Sequence, residues 1–132
     1  MSNPEIVRTK VEIFAAKHSV DFEITCHTVS DLRGYNGDIH IHWKEYAKQA
    51  GVYALFDTAG GGTHYIGMSS YDAGNRMHEW IFQDNKVNSV ICPADKVMLV
   101  TLKDHYYMAP ALELFLIALL EPKLNKISNY SR

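Results

Sequence analysis

Residues 51–68 read GVYALFDTAGGGTHYIGM. Two runs rich in aromatic and branched side chains flank a glycine-rich break. That pattern predicts two antiparallel strands joined by a loop longer than the tightest hairpin types. The run Gly60–Gly62 lacks the Lys-Ser/Thr that follows in a phosphate-binding P-loop, and it joins two strands rather than opening a helix. It reads as a flexible turn. A further run, KVMLVTL at 96–102, is apolar on both faces, as expected of a strand buried on both sides. The sheet is therefore built on the 51–68 hairpin with a covered neighbour.

Helical segments surround these strands. Asn3 with Pro4 in the following turn predicts a helix start. Val7, Val11, Phe14 and Ala15 share one face of that helix, which ends near Ser19. Val20, Phe22, Ile24 and Cys26 alternate with polar residues as in a half-buried strand. Residues 30–38, SDLRGYNGD, are turn-rich. Ile39, Ile41 and Trp43 alternate with His40 and His42 as a short strand, and 43–49 allow one or two helical turns. Ser70 or Asp72 is placed to cap a middle helix whose apolar stripe is Ala73, Met77, Trp80 and Ile81. The last helix is expected from about Tyr107 to Leu120, with Pro110 in its first turn. The fold class is α/β (α+β), with a small, mainly antiparallel sheet and flanking helices. Residues 1–45 read as an N-terminal extension packed on a core formed by 46–132.

The chain has 132 residues, enough for one domain with a real core. No run approaches the roughly 18 apolar residues of a membrane span, and MSNPEIVRTK lacks the apolar core of a signal peptide. With only Cys26 and Cys92, a reduced cytoplasmic protein without a disulfide framework is expected. The formal net charge is −2, and residues 1–50 and 51–132 are each close to neutral. Non-specific nucleic-acid affinity comes largely from neutralised phosphates, so neither half is a basic DNA-binding module.

Several residues carry chemistry. Tyr53 and Tyr65 lie on the two hairpin strands; two hydroxyls facing one site offer donors, acceptors or a base, whereas packing is the plainer role. Arg76, on the edge of the middle helix's stripe, is either solvated or a phosphate clamp. His78 falls on another face. Glu113 is the one polar residue in ALELFLIALL, residues 111–120. A carboxylate there sits on an exposed strip, pairs with a cation, or binds a hard metal ion such as Mg²⁺, which often takes only one or two protein carboxylates. His40, His42 and Cys26-His27 raise zinc, but no CxxC or HxxxH pair accompanies them.

Taken in order, GVY at 51–53, HYIG at 64–67, Arg76, Glu113 and Asn125 in LELFLIALLEPKLN resemble the GIY-YIG nuclease family. The likeness covers about residues 45–127. It implies a metal-dependent endonuclease that hydrolyses DNA phosphodiester bonds with a single Mg²⁺ or Mn²⁺ held by Glu113. By the same resemblance Tyr53 is the base that activates water, Tyr65 orients water or phosphate, Arg76 stabilises phosphate charge, and Asn125 fixes the geometry. Gly67, Ser69, Ser70 and His78 are the implied substrate-binding residues. Met68 stands where many members carry a lysine, Val52 replaces isoleucine, and the stretch from Tyr65 to Arg76 is about one residue longer than in many relatives. DNA is the implied partner. Cutting both strands with one such site requires a homodimer or sequential nicks, and targeting is often borrowed from another domain or partner. The competing readings are a catalytically weak domain of this type that binds nucleic acid or protein, and a structural domain with coincidental triplets.

Overall fold

The computed structural model describes residues 2–33 and 49–125. The strand expected over 39–43, with His40 and His42, and most of the helical turn expected over 43–49 lie outside those residues. The described elements are α1 (Asn3–His18), β1 (Glu23–Thr28), α2 (Val29–Arg33), β2 (Gly51–Asp57), β3 (Gly62–Ser69), α3 (Ala73–Phe82), β4 (Lys96–Thr101), a 3₁₀ turn (Tyr106–Met108) and α4 (Ala109–Leu120). The architecture is α+β, with a four-stranded antiparallel sheet in the order β1-β4-β2-β3.

Strand alternation divides the core in two. Val52, Ala54, Phe56, Ile66, Met98 and Val100 face α1 and α4. Tyr53, Leu55, Val97 and Leu99 face α2 and α3. The two inner strands, β2 and β4, are thus covered on both faces, which explains why KVMLVTL shows no polar alternation. β1 joins the sheet through β4, and α1 packs into the same core as α4, so the described part of residues 1–45 completes the sheet rather than standing apart.

Local chemistry sets the element ends. The cap of α1 is Ser2, not Asn3: Ser2 Oγ accepts from the Glu5 N–H while Glu5 Oε2 accepts from the Ser2 N–H, a complete capping box. Asn3 instead lies inside the first turn and donates to Thr63 Oγ1 at 2.8 Å, tying the helix to β3. The turn-rich stretch after Thr28 contains the short helix α2, because Thr28 and Asp31 exchange side chain-to-backbone hydrogen bonds across its start. Asp72 caps α3 by accepting from the Asn75 N–H at 3.0 Å. Pro110 occupies the first turn of α4, where no intrahelical N–H is needed.

The hairpin carries one irregularity. Leu55 pairs with Tyr65 but Phe56 pairs with Thr63, so His64 is an extra residue in β3. The bulge places the His64 ring against Asp95, at 2.9 Å.

Candidate functional site

The two tyrosines and the second triplet's glycine are brought together by register. Tyr53 pairs with Gly67 across the hairpin. Its ring lies over that residue, and a Cβ on Gly67 would overlap both the Tyr53 hydroxyl and its ring. Gly51 is constrained from the other side, where a Cβ would run into the Val100 carbonyl on β4. Glycine at 51 and 67 is therefore demanded by close packing. The tyrosine between them is only 1% exposed.

Tyr65, from β3, holds its ring centroid 6.3 Å from that of Tyr53 and 4.6 Å from that of Trp80 on α3. Trp80 lies one turn beyond Arg76 on the same helix. The Tyr53 hydroxyl thereby sits among groups from several elements. Burial pushes its pKa well above the ordinary tyrosine range, Tyr65 adds to the rise, Arg76 and the Trp80 N–H work against it, and Glu113 on α4 raises it further. The influence of both Arg76 and Glu113 on one hydroxyl places a guanidinium and a carboxylate about the same buried phenol.

Glu113 reaches this region because α4 runs beside β3, an outer strand of the sheet. Leu112, Leu116 and Ile117 enter the core while Glu113 stays half-buried at its border. Partial desolvation raises its pKa. Among the described residues it makes no hydrogen bond or ion pair, so a half-buried carboxylate is left without a cation. One carboxylate in that state suits a hard divalent ion that keeps most of its waters, and the residues present fit the Mg²⁺ or Mn²⁺ that the resemblance implies.

Arg76 is largely exposed and bonds to Glu79 at 3.1 Å. Asn125 joins the site through the backbone: its side chain accepts from the Ile66 N–H at 2.9 Å and donates to the Ile66 carbonyl at 2.7 Å. The other expected residues have different work. The Ser69 hydroxyl is buried and accepts from the N–H groups of Tyr71 and Asp72, shaping the loop that leads to the α3 cap. Ser70 is half-buried next to it. His78 stacks on Phe82 one turn further along α3. Met68 packs against the core on the α1/α4 side, opposite the face that carries Tyr53 and Tyr65.

Two residues of this region escaped the sequence reading. Trp80 was assigned only to an apolar stripe; its spacing of four from Arg76 was the available signal. Lys86 follows α3, donates to the Leu124 carbonyl at 3.0 Å and holds its ammonium 5.7 Å from the Tyr65 ring centroid. Nothing local marks it, because its position depends on where the chain returns after α3.

No protein-family profile matches the chain, and neither the curated proteins nor the solved structures contain a match. The argument for function therefore rests on the geometry and on the motif resemblance.

A second acidic group stands at the far end of the hairpin. The ligand atoms of Asp57, His64 and Asp95 lie within 4.8 Å of one another. Asp95 accepts from the N–H groups of Thr58 and Cys92 as well as meeting His64, and Asp57 holds the Gly60 N–H and the Lys123 ammonium. Those partners hold Asp57's pKa below the usual carboxylate value. The group reads as a clasp on the hairpin turn. Cys26, raised above with the histidines, is exposed on β1. No helix among the described residues is long and apolar enough to cross a membrane.

Proposed function

We propose that this chain is a phosphodiester hydrolase of GIY-YIG type, an endonuclease acting on DNA with one divalent cation. The observation that carries the reading is the environment of the Tyr53 hydroxyl, which feels Tyr65 from the facing strand, Arg76 from α3 and Glu113 from α4. These residues are far apart in sequence, and the fold makes them neighbours around one buried oxygen.

The roles follow from the chemistry of each group. Glu113 supplies the carboxylate for the ion, and a bound divalent cation supplies positive charge to a phosphate oxygen and to a nearby water. Arg76 attracts the phosphate; its exposed pair with Glu79 is of a kind worth under about 1 kcal/mol, so a phosphate oxygen can replace it. Tyr53 and Tyr65 orient water and phosphate by hydrogen bonding. Without added positive charge, Tyr53 remains protonated and acts as a donor, because burial opposes its ionisation. Asn125 holds β3 at Ile66, between Tyr65 and Gly67, and so fixes the floor of the site.

A second reading, a nucleic-acid-binding module of weak or absent activity, has one observation in its favour. The Tyr53 phenol is held in the protonated form, which suits a hydrogen-bond donor better than a base.

Supercoiled plasmid separates the two readings, since one nick changes its mobility. Nicking that needs Mg²⁺ or Mn²⁺, stops with EDTA, and is lost in Glu113→Gln and Tyr53→Phe is the expected result. A folded protein inactive with every divalent ion would leave only the binding module.

A further inference from the structure

Trp80 has an unmet hydrogen bond in the middle of this site. Its indole Nε1 is buried and has no partner. The N–H lies close enough to the Tyr53 oxygen to favour the ionised phenol, yet it does not complete a hydrogen bond to it. A buried donor left unmade is unfavourable, and folded proteins rarely retain one without cause. The rings that fix it are well defined: Trp80 packs on Tyr65 at 4.6 Å, and Tyr65 in turn stands 6.3 Å from Tyr53. The indole cannot swing toward solvent without giving up that packing.

We propose that the Trp80 indole N–H and the Tyr53 hydroxyl form a two-donor pocket for one non-bridging oxygen of a phosphodiester, with Arg76 as the cation at its rim. The idea rests on the hydrolase reading only for the class of ligand; the orphaned donor is independent of catalysis. Two neutral donors fixed in a poorly hydrated setting are the arrangement that stabilises an oxyanion, because they need no reorganisation when charge arrives. Raised by burial, the Tyr53 pKa keeps that hydroxyl in its donating form. Arg76, four residues before Trp80 on α3, contributes the net positive charge that two neutral donors lack. Glu113 is the opposing negative group around the same phenol, so a divalent ion at Glu113 strengthens anion binding here. The oxygen is held through hydrogen bonds rather than by a broad basic surface, which agrees with a chain of net charge −2.

The indole proton itself is the reporter. The chain contains two tryptophans, so Trp43→Phe assigns the Trp80 indole signal in a ¹⁵N-resolved NMR spectrum without touching the site. The folded protein is titrated with inorganic phosphate in one arm and with the dinucleotide TpT in the other, each with and without Mg²⁺. A saturable downfield movement of the Trp80 indole proton is expected, with TpT binding more tightly than free phosphate if the natural ligand is a phosphodiester. Tyr53→Phe should weaken that binding about tenfold, the loss of one hydrogen bond to an anion. Trp80→Phe should do the same to the perturbation of the neighbouring backbone signals.

An indole proton that stays in place while either probe binds elsewhere would overturn the proposal, as would an affinity indifferent to Tyr53→Phe. Plasmid nicking in parallel keeps the two readings apart. Saturable indole shifts without nicking leave this pocket standing and remove the hydrolase, whereas nicking with an unmoved indole does the reverse.

Discussion

Asn125 grips Ile66 by both backbone groups, accepting from its N–H at 2.9 Å and donating to its carbonyl at 2.7 Å. The amide side chain thus takes the place of a neighbouring strand at one position of β3. It continues a short pairing in which the N–H groups of Lys123 and Leu124 donate to the carbonyls of Thr63 and His64. The segment after α4 therefore closes the open edge of the sheet, immediately beside Tyr65 and Gly67. Asn125→Ala removes two partly buried hydrogen bonds and should lower stability by about 1–3 kcal/mol. Asn125→Asp should cost as much or more, since a carboxylate accepts but cannot donate to the Ile66 carbonyl. Urea unfolding monitored by tryptophan fluorescence measures both.

Little of that closure could be read from the sequence. EPKLN looks like the end of a helix, and nothing in it says that the chain turns back along β3. The hairpin was legible because its strands carry their own periodicity and a glycine-rich break separates them. The bulge at His64 was not, since it depends on pairing across the turn. The cap of α1 was misplaced by one residue because Asn3 and Ser2 are both good caps; Glu5, three residues after Ser2, decides between them. Among the site residues, Tyr53, Tyr65, Arg76, Glu113 and Asn125 stood out through ordered motifs. Trp80 and Lys86 did not, because their roles arise from packing between distant segments.

Gly67 carries a sharp packing constraint. Its Cβ would occupy the space of the Tyr53 phenol, and Tyr53 is held between the hairpin and α3 with nowhere to retreat. Gly67→Ala should destabilise by about 1–3 kcal/mol, the usual range for overpacking a well-filled core. In Tyr53→Leu the obstructing ring is gone, so Gly67→Ala should cost much less in that background. A double-mutant cycle by chemical denaturation reads the coupling. Independent, additive effects would mean that the close approach is relieved some other way.

Glu113 makes a prediction in pH as well as in metal binding. Its folded pKa lies above the ordinary carboxylate value of 4.5 because of desolvation. In the window above 4.5 the folded chain holds this proton more tightly than the unfolded chain does. Stability from this group is complete below 4.5 and is lost as pH rises toward the folded pKa. Glu113→Gln should flatten that part of the stability profile and raise the melting temperature of the metal-free protein at neutral pH. It should also abolish the rise in melting temperature that Mn²⁺ gives the parent protein. Asp57→Asn should leave the Mn²⁺ effect in place, because the Asp57–His64–Asp95 clasp is already filled by its own partners. A Mn²⁺ effect that follows Asp57 instead would move the ion to the hairpin turn.

Tyr53 works in the same direction at the alkaline end. Its folded pKa is raised from the model-compound value of 10.0, chiefly by burial. Above pH 10 the unfolded chain gives up this proton while the folded chain keeps it, so the folded state loses ground with every further rise in pH. The parent protein should therefore unfold more steeply between pH 10 and 12 than Tyr53→Phe, which lacks the group. Absorbance at the tyrosinate band gives a second check: one of the eight tyrosines should resist ionisation until the protein unfolds. Divalent cation should reduce that resistance if the ion bound by Glu113 lies near the phenol, because positive charge favours tyrosinate. The same experiment in Glu113→Gln should show no such effect of the cation. Agreement of the two would tie the carboxylate on α4 to the tyrosine on β2 by a measurement that does not depend on nuclease activity.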